Sequence, residues 1–232
     1  MDQSIQSQLD RAKELLQDLE KSCNVDLESQ NVSEKTKNLT QEILLKIRHL
    51  LDQVIYKFFE KYYFYSLSDS DKKIARVYFP IASKKDDLKL RLGRAKMTSL
   101  EKDHPDFYKF LDSVQPYNSD YLWLKQLAEL STDKHIRLTP QIMKREKETR
   151  LGNAVRVRSG GVSMHNCLVN GIPVNSEDIN ETPLENFDPR LKVQRVIWGS
   201  FMFEGTDINA FWLCKKSVED GEKIIKRVLE FL

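Results

Sequence analysis

Glycine and proline are scarce, with 8 Gly and 7 Pro among 232 residues. Both residues punctuate turns and interrupt regular elements. Their scarcity argues against an all-β chain with many tight turns and favours long helices. Cysteine is scarcer still: Cys23, Cys167 and Cys214 are odd in number, far apart and without C-x-x-C spacing. That pattern argues against a disulfide framework or a zinc site and predicts free thiols in a reducing compartment. No run of about 18 apolar residues occurs, so no membrane span is expected. The opening MDQSIQSQLDRAKELL is polar and lacks the apolar core of a secretory leader, and a cytoplasmic location is expected. An excess of one charge sign is also missing. Thirty-seven Lys and Arg against 35 Asp and Glu leave a net charge of +2, which excludes a global polycation built to coat nucleic acid. The sequence contains no P-loop, no G-x-G-x-x-G, no G-x-S-x-G and no H-E-x-x-H. His49, His104, His135 and His165 have no metal-ligand spacing, so neither a metal nor a cofactor is expected.

What is present reads as an α+β chain, with a helical bundle over residues 1–140 and an antiparallel β part with a closing helix over 141–232. Ile5, Leu9, Ala12, Leu15, Leu16 and Leu19 recur with a helical period and predict a helix over 5–22. The polar stretch 24–38 reads as a loop, and Asn38 with Gln41 resembles a capping box. Ile43, Leu44, Ile47, Leu50, Leu51, Val54, Ile55, Phe58, Phe59 and Tyr62 form one wide apolar face over 39–65. Such a helix belongs at the centre of a bundle. Residues 76–81 read as an extended segment on the bundle, because Pro80 bars a helix interior. A charged helix over 85–97, a helix opened by Pro105 and another over 120–135 complete this part. After Pro140 the pattern turns to alternation. Strands are expected over 154–158 and 162–170, with turns at Gly160-Gly161 and Asn170-Gly171. Longer strands are expected over 191–203 and 208–216. Within them Trp198, Phe201, Phe203, Phe211 and Trp212 have the spacing of core residues. Val218, Ile224, Ile225, Val228 and Leu229 mark the final amphipathic helix.

Three features could carry chemistry. Arg48 and Asp52 lie four residues apart and share one edge of the central helix. Lys134, His135 and Arg137 gather at a helix C-terminus, where cations complement the dipole and an imidazole could move a proton. Lys144, Arg145, Arg150, Arg156 and Arg158 extend this into a basic stretch that could hold a phosphate backbone. The same stretch could instead face solvent or neutralise the acidic residues 177–188.

The succession Arg48, Leu51, Asp52, Tyr56, then Phe79-Pro80-Ile81, then Gln115-Pro116-Tyr117, then Leu122-Trp123 and Asp133-Lys134-His135 carries a resemblance. It resembles a set of uncharacterised bacterial proteins related to the HEPN-like helical bundles, over roughly residues 40–140. That resemblance implies RNA as partner and an Arg-x4-6-His motif, in a setting of stress response or phage defence. This chain departs from the motif: Gln53 stands where the histidine of the second helix would fall, and no arginine lies four to six residues before His135. An enzymatic reading would use His135 as general base, with Arg48 and Asp52 beside it. The alternatives are a non-catalytic interaction or regulatory module, forming a homodimer or docking a partner protein, and a small-molecule sensor. The sequence leaves all three open.

Overall fold

A computed structural model describes residues 3–29, 31–132, 138–158, 162–180 and 182–232, with side chains for all of these except 27–29, 138–148, 158 and 194–200. The chain is α+β and divides into a helical unit, 1–139 with 201–232, and a β unit, 140–200. The closing helix, grouped by sequence with the β part, therefore belongs to the helical unit.

The helical unit is organised around α2 (Glu34–Tyr62), whose apolar face from Ile43 to Phe59 is buried. Helix α1 (Gln3–Ser29) returns antiparallel to it: Gln8 meets Gln53 at 3.3 Å and Ser22 meets Thr36 at 2.8 Å. The expected loop over 24–38 is mostly helix. Ser33, not Asn38, caps α2 by accepting from Thr36 N at 3.2 Å. Ser33 in turn donates its N–H and hydroxyl to the buried Asp26 carboxylate, at 2.8 and 2.9 Å. The polar residues of this turn satisfy helix ends and one another, which is why they tolerate burial.

Past α2, Ser68 caps a short helix, α3 (Asp69–Ile74), and an extended segment, 75–82, leads to α4 (Lys85–Arg94). A short α5 (Leu100–Asp103) precedes α6 (Pro105–Ser113), which Pro105 opens as the sequence predicts. Helix α7 (Leu122–Ser131) packs on α2.

The expected strand over 208–216 is instead the start of α8 (Ala210–Leu229). Asn209 caps it, accepting from Trp212 N at 2.8 Å, and Ala210, Leu213, Cys214, Ser217, Val218, Gly221, Ile224, Ile225 and Val228 are buried. Trp212 consequently faces solvent and is not a core residue. Helix α8 runs parallel to α2: Cys214 approaches the Thr40 carbonyl at 3.8 Å, Gly221 lies against Ile47, and Tyr62 donates to the Phe231 carbonyl at 3.0 Å. Lys13 of α1 meets Glu222 at 2.9 Å. Burial raises the Glu222 carboxyl, but hydrogen bonds from Lys226 and Lys13 outweigh it and leave its pKa below the ordinary value.

In the β unit, β1 (Leu138–Leu151) lies between β2 (Val155–Arg158) and β5 (Gln194–Phe203). Strand β1 carries Lys144, Arg145 and Arg150 of the basic stretch, and β2 carries Arg156 and Arg158. A second ladder pairs β3 (Met164–Val169) with β4 (Ile172–Ser176), antiparallel across Asn170-Gly171. Both turn residues have positive φ, 51° and 76°, as a tight hairpin turn requires. Leu151, Val157, Val169, Val174, Ile179, Phe187 and Leu191 form a separate small core. The expected turn at Gly160-Gly161 lies outside the described residues.

A Cβ placed on Gly221 would come within 2.9 Å of Ile47 Cγ2, a stiff branch in the fully buried core. Gly221→Ala should therefore destabilise the fold by about 1–2 kcal/mol, against the roughly 1 kcal/mol that alanine ordinarily adds to a helix. Urea unfolding measures the sign.

Candidate functional site

The extended segment 75–82 makes no ladder, so its amides find partners one by one. Arg76 N–H donates to the Arg94 carbonyl at the end of α4, at 3.0 Å. Phe79 N–H donates to Asp52 Oδ1 at 2.8 Å, and Ala82 N–H to Gln115 Oε1 at 2.8 Å. Three elements thus hold every third residue. Gln115 is fully buried, and its amide also donates to the Leu111 carbonyl at 2.8 Å. Phe79 is fully buried, and Pro80 needs no donor partner.

Arg48 and Asp52 form the expected pair, 3.1 Å apart, each side chain 21% exposed. Arg48 Nη2 also reaches the Phe79 carbonyl at 3.4 Å, so the two side chains bracket one residue of the segment. The pair is partly dehydrated. Burial lowers the Arg48 pKa despite Asp52, with Arg91 adding to the effect, and burial raises that of Asp52 despite Arg48 and Phe79 N–H. Both shifts oppose the charged forms, so desolvation outweighs the mutual attraction. Arg48 Nη1 is buried and has no hydrogen-bond partner. These groups position a backbone segment, and both are already committed to it.

A groove of about 600 Å³ opens beside this pair. Its α2 wall carries His49, Asp52, Gln53, Tyr56, Lys57 and Glu60. Val77 and Tyr78 come from the extended segment, and Ser4 and Ile5 from the start of α1. Gln53 Nε2 lies 3.0 Å from His49 Nε2, and Gln8 donates to Gln53 Oε1. Tyr56 is 45% exposed and Tyr78 61%.

On the same segment, Arg76 is exposed two residues from Tyr78, and alternation puts the two side chains on one side. Arg91 and Arg94, three apart on α4, are exposed as well. The α4 C-terminal dipole favours both guanidinium groups. Among the described residues, Arg76, Arg91 and Arg94 have no ion-pair partner. Arg91 and Tyr78 both act electrostatically on the partly buried Arg48 guanidinium.

Lys134, His135 and Arg137 lie outside the described residues, as do the side chains of Lys144, Arg145 and Arg158. Arg150 and Arg156 stand opposite each other across β1 and β2, and Arg158 is opposite Glu148. Like charges directly opposed are unfavourable unless other groups compensate, and both Arg150 and Arg156 have partners. Sequence reasoning missed Arg76, Arg91, Arg94 and Tyr78. The spacing of Arg91 and Arg94 was a signal, but their convergence on Arg76 follows from chain topology. Among the described residues no helix is long and apolar enough to cross a membrane, and no group of His, Cys, Asp and Glu could hold a metal ion.

No family model, curated protein or solved structure matches this chain.

Folded Asp52 holds its proton to a higher pH than an ordinary carboxyl. Its contribution to stability is therefore fully present below the ordinary carboxylate range and falls away as pH rises through its folded pKa. Asp52→Asn keeps an acceptor for Phe79 N–H and removes this titration. As pH rises from the ordinary carboxylate range through the raised pKa of folded Asp52, wild type should lose stability relative to Asp52→Asn. Urea midpoints that move the other way would mean that attraction, not desolvation, dominates the pair.

Proposed function

We propose that this chain is a nucleic-acid-binding module that grips a phosphate backbone with Arg76, Arg91 and Arg94, with RNA as its ligand. The carrying observation is three exposed arginines from two adjoining elements, with no ion-pair partner among the described residues. Arginine presents a rigid fork of donors suited to phosphate oxygens. Arg48 adds a fourth cation behind them, offset by Asp52. The HEPN-like resemblance points to the same ligand, and this reading places the protein in the cytoplasm.

Binding without cleavage is the better-supported form of the proposal. Arg48 and Asp52 hold the Phe79 backbone, so recruiting them for proton transfer would release the segment that carries Arg76 and Tyr78. A defence or stress role would then come from what the bound RNA is delivered to.

Fluorescence anisotropy with a short RNA strand, over a range of salt concentrations, tests this. Arg76→Gln, Arg91→Gln and Arg94→Gln together should weaken binding and flatten the plot of log affinity against log salt, by about 0.7 for each phosphate that is no longer neutralised. The fold should survive, because exposed substitutions change stability by only about 0.5 kcal/mol. An unchanged slope would refute the arginine surface. Absence of binding in the wild type would turn the assignment to a protein-docking or sensor role.

A further inference from the structure

We infer that the groove between α2 and the extended segment is a base-accepting site, so that the module selects single-stranded over double-stranded nucleic acid. The inference rests on the phosphate-binding reading of Arg76, Arg91 and Arg94.

Charge separates the two surfaces. The arginine surface carries three cations without ion-pair partners among the described residues. The groove carries Lys57 and Glu60, and its Asp52 is paired with Arg48, so it has no excess of positive charge to draw a phosphate. A neutral, planar, hydrogen-bonding group suits it better. Its volume of about 600 Å³ lies within the usual range for small-molecule sites.

Its chemistry fits a nucleobase. Tyr56 from α2 and Tyr78 from the extended segment expose much of their side chains within it. Aromatic faces of this kind stack on any base. The polar edge is already organised: Gln8 holds Gln53, and Gln53 meets His49. An amide and an imidazole fixed in this way can present both donors and acceptors to a base edge.

Position links the surfaces. Arg76 and Tyr78 are two residues apart on extended backbone, about 7 Å along the chain and on one side of it. That spacing lets one strand rest a phosphate on Arg76 while a neighbouring base turns onto Tyr78. A duplex cannot do this, because its bases are stacked and paired inside the helix.

The test compares three probes at equal salt: a short uridine oligomer, the same strand annealed to its complement, and inorganic polyphosphate. Each is titrated into the full chain, into Tyr56→Leu and Tyr78→Leu, and into the triple arginine variant. Thermal melts confirm that each variant folds. Wild type should bind the single strand about ten-fold or more tighter than the duplex. Each tyrosine substitution should weaken single-strand binding about ten-fold and leave polyphosphate binding unchanged. The arginine variant should weaken binding to all three probes. Equal affinity for single strand and duplex, with tyrosine variants that behave as wild type, would overturn the base site and leave the arginine surface standing. Failure to bind any of the three would remove the arginine surface itself.

Discussion

The hydrogen bond from Phe79 N–H to Asp52 is the contact on which the rest of the candidate surface depends. Residues 75–82 belong to no helix or sheet, so nothing regular fixes their direction. Asp52 holds the middle of the segment, while the Arg94 carbonyl and Gln115 hold its two ends. With these three hydrogen bonds in place, Phe79, Pro80, Ile81 and Ala82 are buried, while Arg76 and Tyr78 face outward. The exposed residues owe their position to the buried ones.

This pin is placed where the bundle can sustain its cost. A partly dehydrated ion pair is a weak source of stability. It sits on the edge of α2, whose other face is buried against α1, α7 and α8. Burial of that apolar face stabilises the helix by far more than desolvation of one pair removes. The close approach of Gly221 to Ile47 brings α8 onto α2, and α1 closes the bundle with its own polar turn at Asp26 and Ser33. The helix that bears the site thus packs against α1, α7 and α8, which suits a rigid platform for an irregular segment.

Much of this was legible in the residues. The stripe from Ile43 to Phe59 identified the central helix, Pro105 opened α6, and Asn170-Gly171 made its hairpin turn. The extended character of 76–81 followed from Pro80. The misread elements have physical explanations. Phe211 and Trp212 favour strands by propensity, but Asn209 as a cap and the three-and-four spacing from Ala210 to Val228 outweigh them. Strand β1 escaped notice because its dense run of charges, Lys144 to Arg150, masks the apolar alternation of a strand. At the site, the pairing of Arg48 with Asp52 followed from helical spacing, yet its target at Phe79 did not. That hydrogen bond joins residues 27 apart, and the meeting of Arg76 with the end of α4 is likewise a matter of topology.

Amide hydrogen exchange along residues 76–82 tests the central claim most directly. If Asp52 and Gln115 hold the segment, Phe79 and Ala82 amides are protected although they lie in no regular element, while the Tyr78 amide exchanges quickly. Asp52→Ala should then release Phe79 and leave Ala82 slower. If Phe79 and Ala82 exchange as fast as Tyr78 in the wild type, the segment is not pinned, and neither the arginine surface nor the groove has a fixed geometry.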